Sequence, residues 1–200
     1  LQTDFCLSLL QELRGMGIAT ALDTCGQVSA KALAKLLPYA DLLLYDLKEI
    51  DPRKHRIFTG SGNETILANA VFAAEFKKSH PYPKTLWIRT PVIPDATDTM
   101  ENIRGLGDFI RERLSGAVDH WELCAFNNLC RDKYSRLGLD WPYASKELPE
   151  KARMEELARA AQSHAPSTTV SWSGATRLQR QTKQTLSGPN QKKNMPAHGC

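Results

Sequence analysis

Four short segments place charged or polar residues directly after apolar runs: Asp23-Thr24-Cys25-Gly26, Tyr45-Asp46 with Lys48, Arg89-Thr90 ahead of Pro91-Val-Ile-Pro94, and Cys124 with Phe126, Asn127 and Asn128. Brought to one cavity, they offer two carboxylates, a lysine, an arginine and an amide. Such a set suits a zwitterionic ligand, because an ammonium and a carboxylate removed from water each need an opposite partner. Taken singly, each residue also has a structural reading. Asp23 and Asp46 could cap the turns that follow them, and the convergence of all four segments is the more specific signal. The five cysteines, Cys6, Cys25, Cys124, Cys130 and Cys200, are odd in number, widely spaced and without a C-x-x-C pair. They argue against a disulfide scaffold, for a reducing cytosol, and give no metal site by spacing. Cys6 reads as core packing on a helix, His55 as a solvent-facing helix residue, and His120 and His164 as structural. Lys48 at a strand end leaves a Schiff-base lyase as an alternative chemistry.

The elements that must carry these segments alternate. Thr3 caps a helix with Phe5, Leu9, Leu10 and Leu13 on its apolar face, ended by Gly15 and Gly17. A strand over Ile18 to Leu22 follows, then a helix opened by Ser29 with Leu33, Leu36 and Leu37 buried. Asp41 to Asp46 is apolar in consecutive positions, as expected of a strand covered on both faces. Asp51-Pro52 gives an N-cap and first-turn proline, and a longer helix runs on through Ile66, Ala70, Val71, Ala74 and Phe76. Thr85 to Ile93 is a strand; Asp98-Thr-Met-Glu101 has capping-box spacing before a helix through Ile103, Leu106 and Ile110. Val118 to Cys124 is a strand, followed by a polar, aromatic-rich loop to Lys146, a helix from Pro149 to Ser163 and a strand over Thr168 to Trp172. This alternation predicts parallel βα units wound right-handedly into an open sheet or a full or partial barrel. In such folds the C-terminal strand ends converge on one mouth.

Bulk properties narrow the options. Two hundred residues at 42% hydrophobic content suit one main domain. Of the net +4, four positive charges (Arg180, Lys183, Lys192, Lys193) lie in residues 178–200, which contain no acid. The remainder is near neutral, so the charge does not indicate a nucleic-acid partner. No apolar run approaches the ~20 residues of a membrane span. The expected organisation is residues 1–177 folded and 178–200 a disordered basic tail.

Five motifs then carry a resemblance: Leu22-Asp-Thr-Cys-Gly26, Leu44-Tyr-Asp-Leu-Lys48, His55-Arg-Ile-Phe-Thr-Gly60, Ile88-Arg-Thr-Pro-Val-Ile-Pro94 and Trp172-Ser-Gly-Ala-Thr-Arg177. In this order and spacing the chain resembles the radical S-adenosylmethionine (SAM) enzymes that activate glycyl-radical enzymes, from Leu1 to about Arg177. The resemblance implies a partial (β/α)6 radical SAM barrel lacking its first βα units. It implies a [4Fe–4S] cluster on a C-x-x-x-C-x-x-C loop, and SAM bound to the cluster's open iron. Reductive cleavage of SAM would then give a radical that takes hydrogen from a backbone glycine of a partner enzyme. Neither that cysteine motif nor the family's Gly-Gly-Glu-Pro segment occurs here, so the sequence is expected to begin just after them and not to work alone. By resemblance, Asp23, Thr24 and Asp46 form a monovalent-cation site beside the SAM carboxylate. Lys48 and Arg89 face the methionyl part, and Asn127 replaces a histidine near the adenosine. The implied partners are a glycyl-radical enzyme and an electron donor such as flavodoxin or ferredoxin, in the cytoplasm and away from membrane and nucleic acid. The loop from Asn127 to Ser145, with Tyr134, Trp141 and Tyr143, either receives the partner's glycine loop or packs over the barrel rim. A non-catalytic fragment that binds SAM or a partner is the second alternative.

Overall fold

Alternation along the strands determines which face of the sheet is filled. In the computed structural model, which describes residues 2–177, five strands pair in sequence order, all parallel: β1 (Ala21–Thr24), β2 (Leu42–Asp46), β3 (Thr85–Val92), β4 (His120–Ala125) and β5 (Thr169–Ser173). On one face Leu43, Tyr45, Leu86, Ile88, Val92, Trp121 and Leu123 are fully or almost fully buried in a single core with the helices. On the other face the alternate residues stay half-exposed, giving the strict buried–intermediate alternation of β2, β3 and β4. Identical crossovers in unbroken order put the helices on one side, as in a barrel wall rather than a doubly wound sheet. The expectation that β2 is covered on both faces is therefore corrected. Its consecutive leucines serve a helix-packed side and an open side.

The connecting helices are α1 (Thr3–Gly15), α2 (Ala30–Leu36), α3 (Pro52–Thr59), α4 (Glu64–Ser79), α5 (Met100–Phe109), α6 (Cys130–Arg136) and α7 (Lys151–His164). Ser29 caps α2 by accepting from Ala32 N–H at 3.2 Å. Asp51 caps α3 through the N–H groups of Arg53 and Lys54 at 2.7 and 3.1 Å. Several local expectations shift, each for a visible reason. The first strand starts at Ala21 rather than Ile18, because the Ile18 N–H is spent on Leu13 O at 2.9 Å in closing α1. The cap of α5 is Thr99, which accepts from Asn102 N–H at 3.2 Å, while Asp98 turns back to Asp95 N–H. The 52–79 stretch is two helices, since Gly60 ends α3 with a left-handed φ of 84°. His55 is not solvent-facing: it is 3% exposed, its Nδ1 pairs with Ser61 O at 2.7 Å, and it tethers the α3–α4 turn. Only Leu10 is fully buried on α1; Phe5 and Leu9 are exposed and Cys6 only half-buried. The 127–146 loop contains the short helix α6. No helix among the described residues is long and apolar enough to cross a membrane. The expected basic tail, residues 178–200, lies outside the described residues.

Candidate functional site

The open face of the sheet gathers the charges that the sequence placed at strand ends. Asp46 and Arg89 are direct register partners on β2 and β3, and Asp23 stands one strand further, on β1. The Arg89 side chain is long enough to cross β2. Its Nη2 donates to both Asp23 oxygens at 2.8 Å and to Asp46 Oδ1 at 3.0 Å, and its Nε donates to Asp46 Oδ1 at 3.2 Å. Lys48 Nζ reaches Asp46 Oδ2 at 3.2 Å. One arginine and one lysine thus meet two carboxylates in a partly shielded patch, where Asp46 and Arg89 side chains are 22% and 25% exposed. Burial, the largest influence on Arg89, works against its charge; the Asp46 hydrogen bond and the nearby negative charges outweigh it and raise the pKa. Neither aspartate caps the turn that follows it; both are engaged by Arg89, and Asp46 also by Lys48.

Not every expected residue joins it. Thr24, the next residue on β1, belongs to the opposite face, and its Oγ1 accepts from Gly26 N–H at 3.0 Å. Tyr45 and Thr90 are fully buried on the helix side. Tyr45 donates to Ile66 O at 2.7 Å, and burial chiefly, then charge at Cys25, raises its pKa. Asn127 is exposed beyond β4, and its Oδ1 accepts from Leu129 N–H at 3.2 Å. The rim aromatics pack on one another: Phe126 lies 5.9 Å from Trp141 and 6.3 Å from Tyr143, and Tyr134 stacks on Trp141 at 5.7 Å. That favours rim packing for the rings and leaves Leu129, Leu137 and Leu139 as the exposed apolar groups of the segment.

Sequence reasoning singled out Cys124 but missed other members of the open face. Glu122 is the register partner of Arg89 on β4, two residues before Cys124. Burial first, then the Glu122 charge, pushes the Cys124 thiol up to about 11, so it is a thiol at neutral pH rather than a ready nucleophile or ligand. Trp87 and His120 pack at 4.6 Å below them, with His120 Nε2 against Ser171 Oγ at 2.8 Å. The usable signal was the i, i+2 spacing from Arg89 and Cys124. Next to Lys48 lies a small cavity of about 160 Å³, walled by Phe58, Pro91, Ile93 and Tyr143 with Glu49 among its lining. Glu49 is 3% exposed, and burial raises its pKa. Its Oε1 accepts from Asp51 N–H at 3.0 Å, while Oε2 is the one buried side-chain oxygen or nitrogen among the described residues without a partner. Cys6, Cys25, Cys124 and Cys130 are all free, and no group of three His, Cys, Asp or Glu among the described residues is placed to hold a metal ion.

No family model matches the chain. The (2S)-3-sulfopropanediol dehydratase activating enzyme of Klebsiella oxytoca is 36% identical over 148 residues, 74% of this chain and 44% of that protein. The pyruvate formate-lyase-activating enzyme of Streptococcus mutans is 32% identical over 160 residues, 77% of this chain and 58% of that protein. The chain spans about half the length of the curated relatives it matches. Among solved structures, a domain of the pyruvate formate-lyase-activating enzyme from Bacteroides vulgatus superimposes with a TM-score of 0.67 at 21% identity, covering 87% of this chain and 92% of the domain. Streptococcus suis SuiB bound to S-adenosylmethionine gives 0.61 at 15% identity, over 84% of this chain and 36% of SuiB. These two likenesses establish the fold, a partial parallel α/β barrel, in agreement with the open parallel sheet.

Proposed function

The chain belongs to the glycyl-radical-enzyme activating enzymes, and from that premise we propose that the full-length protein uses SAM to activate a partner glycyl-radical enzyme at a backbone glycine. The observation that carries this reading is the Asp23–Arg89–Asp46–Lys48 network on the open face. The methionyl end of SAM is a zwitterion. Its carboxylate can be received by Arg89 and Lys48, and its ammonium by the Asp46 and Asp23 carboxylates, so exchange of partners replaces net desolvation of charge. Bound SAM would supply the hydrogen-abstracting species; the side chains here bind it, orient it and shield it from water. Asn127, at the end of β4, is assigned to the adenosine side.

Two groups fare differently. A [4Fe–4S] cluster does not fit the described residues, since their cysteines are dispersed and the sequence has no C-x-x-x-C-x-x-C; its ligands must lie elsewhere in the working protein. A monovalent cation at Asp23, Thr24 and Asp46 would compete with the Arg89 guanidinium, which already lies between the two carboxylates. We assign that charge-balancing role to Arg89. The exposed Leu129, Leu137 and Leu139 at the rim are the surface we assign to the partner. Reduction by flavodoxin or ferredoxin in a reducing cytoplasm completes the reading.

Titration of the full-length, iron–sulfur-loaded protein with SAM tests it. SAM should bind, L-methionine should compete, and Lys48→Gln should weaken binding about tenfold, the loss of one hydrogen bond to a charged group. Absence of SAM binding would refute the proposal. Borohydride trapping of a carbonyl substrate on Lys48 would instead support the lyase alternative.

A further inference from the structure

Four successive carbonyls after β2 are each held by a buried side chain from another part of the chain. Leu47 O accepts the Thr90 hydroxyl at 2.8 Å. Lys48 O accepts Asn102 Nδ2 at 3.0 Å, and Glu49 O and Ile50 O accept Asn63 Nδ2 at 2.8 and 2.9 Å. Asn102 also accepts the Ile50 N–H through Oδ1 at 2.9 Å and gives its remaining proton to Thr97 O at 3.2 Å. Thr90 accepts in turn from Trp121 Nε1 at 3.0 Å, which ties the set to β4. Thr90 and Asn102 are 0% exposed and Asn63 is 2% exposed.

Loops ordinarily satisfy such carbonyls with water at the surface. Burying two amides and a hydroxyl to do so is costly unless every bond is made, and a fully satisfied network of this kind is rigid. The segment it fixes carries Lys48, whose Nζ lies 3.2 Å from Asp46 Oδ2. The same device recurs one loop earlier, where Asn69 (4% exposed) donates to Gly26 O and Val28 O, both at 2.8 Å, just past Asp23. We propose that Thr90, Asn63 and Asn102 are positioning residues for Lys48: they fix the main chain over 47–50 so that the ammonium stays over Asp46, and act on any ligand only through that lysine. The proposal rests on the SAM-pocket reading for the identity of the ligand alone.

The test is the acylation rate of Lys48 in the full-length protein, followed by peptide mass spectrometry with an N-hydroxysuccinimide acetate probe. Lys77, held on α4 by Asp119 and Ala117 O, serves as the reference. Thr90→Val deletes the hydroxyl at nearly constant shape, Thr90→Ser restores it, and Asn102→Ala removes the amide. Lys48 labelling should rise about fivefold in Thr90→Val and Asn102→Ala, as for a lost neutral hydrogen bond. Lys77 should keep its rate, Thr90→Ser should return Lys48 to the native rate, and Ile50 amide exchange should accelerate in Asn102→Ala. An unchanged Lys48 rate, or equal rises at Lys48 and Lys77, would overturn the proposal. Should Asn102→Ala fail to fold, the Thr90 pair decides. Saturating SAM should protect Lys48 in the native protein; lack of protection would overturn the SAM reading, while the variant rates still judge the positioning role.

Discussion

Replacing Arg89 with methionine should lower SAM affinity of the full-length protein by about 10- to 100-fold, the range expected for loss of charge-assisted hydrogen bonds. The guanidinium is the only described group that contacts both Asp23 and Asp46. Without it, the two carboxylates on the paired strands β1 and β2, with Glu122 on β4 nearby, are left with only Lys48 to offset them, and the site becomes more strongly acidic. A carboxylate-bearing ligand then meets repulsion where it had a donor. The same change should cost roughly 1–2 kcal/mol of stability, between the values for exposed and buried pairs because the site is partly open. Arg89→Lys should recover little of the affinity, since one ammonium cannot reproduce the fork that spans two carboxylates. Calorimetric titration with SAM, alongside thermal melts, separates the binding loss from the folding loss. Affinity within twofold of native in Arg89→Met would remove Arg89 from the pocket.

The largest stability effect is expected at Gly26. A Cβ built there would lie 1.7 Å from Tyr45 Oη and 2.3 Å from Tyr45 Cζ, and the residue has a φ of +71°. Tyr45 cannot retreat easily, being fully buried with its hydroxyl on Ile66 O. Gly26→Ala therefore combines overpacking with left-handed backbone strain, about 3 kcal/mol or more. For a domain of this size that is a fall of roughly 10 °C in melting temperature. Adding Tyr45→Phe removes the nearest clashing atom but neither the ring contact nor the strain, so the double variant should recover only part of the loss. A Gly26→Ala melt within 2–3 °C of native, where about 1 kcal/mol is the resolution of such a shift, would contradict this packing.

These two positions also mark what the sequence could and could not reveal. Arg89, Asp46, Lys48 and Asp23 were legible because each follows an apolar run, and parallel βα order sends strand ends to a common mouth. Periodicity alone could not tell which face of β2 lies against helices, because Leu42, Leu43 and Leu44 are equally apolar. The open face emerges only from the uniform crossovers. Nor could it separate Asp23 from Thr24, adjacent residues that belong to opposite faces of β1. Buried asparagines are harder still: Asn63, Asn69 and Asn102 read as ordinary polar helix residues until their carbonyl partners, 13 to 54 residues away, are located. His55 misled for the opposite reason. Its helix is polar overall, yet its ring folds back onto the Ser61 carbonyl.

The role proposed for this pocket is radical transfer to a glycyl-radical enzyme. Electron paramagnetic resonance tests it most directly, on the reduced, iron–sulfur-loaded full-length protein mixed anaerobically with SAM. The partner panel would comprise glycyl-radical enzymes of the kinds its relatives are named for, sulfopropanediol dehydratase and pyruvate formate-lyase among them. A SAM-dependent glycyl-radical signal is expected on one partner, reduced at least tenfold by Arg89→Met at subsaturating SAM in line with the affinity loss. SAM cleavage without a glycyl radical on any partner, or a signal indifferent to Arg89, would contradict it.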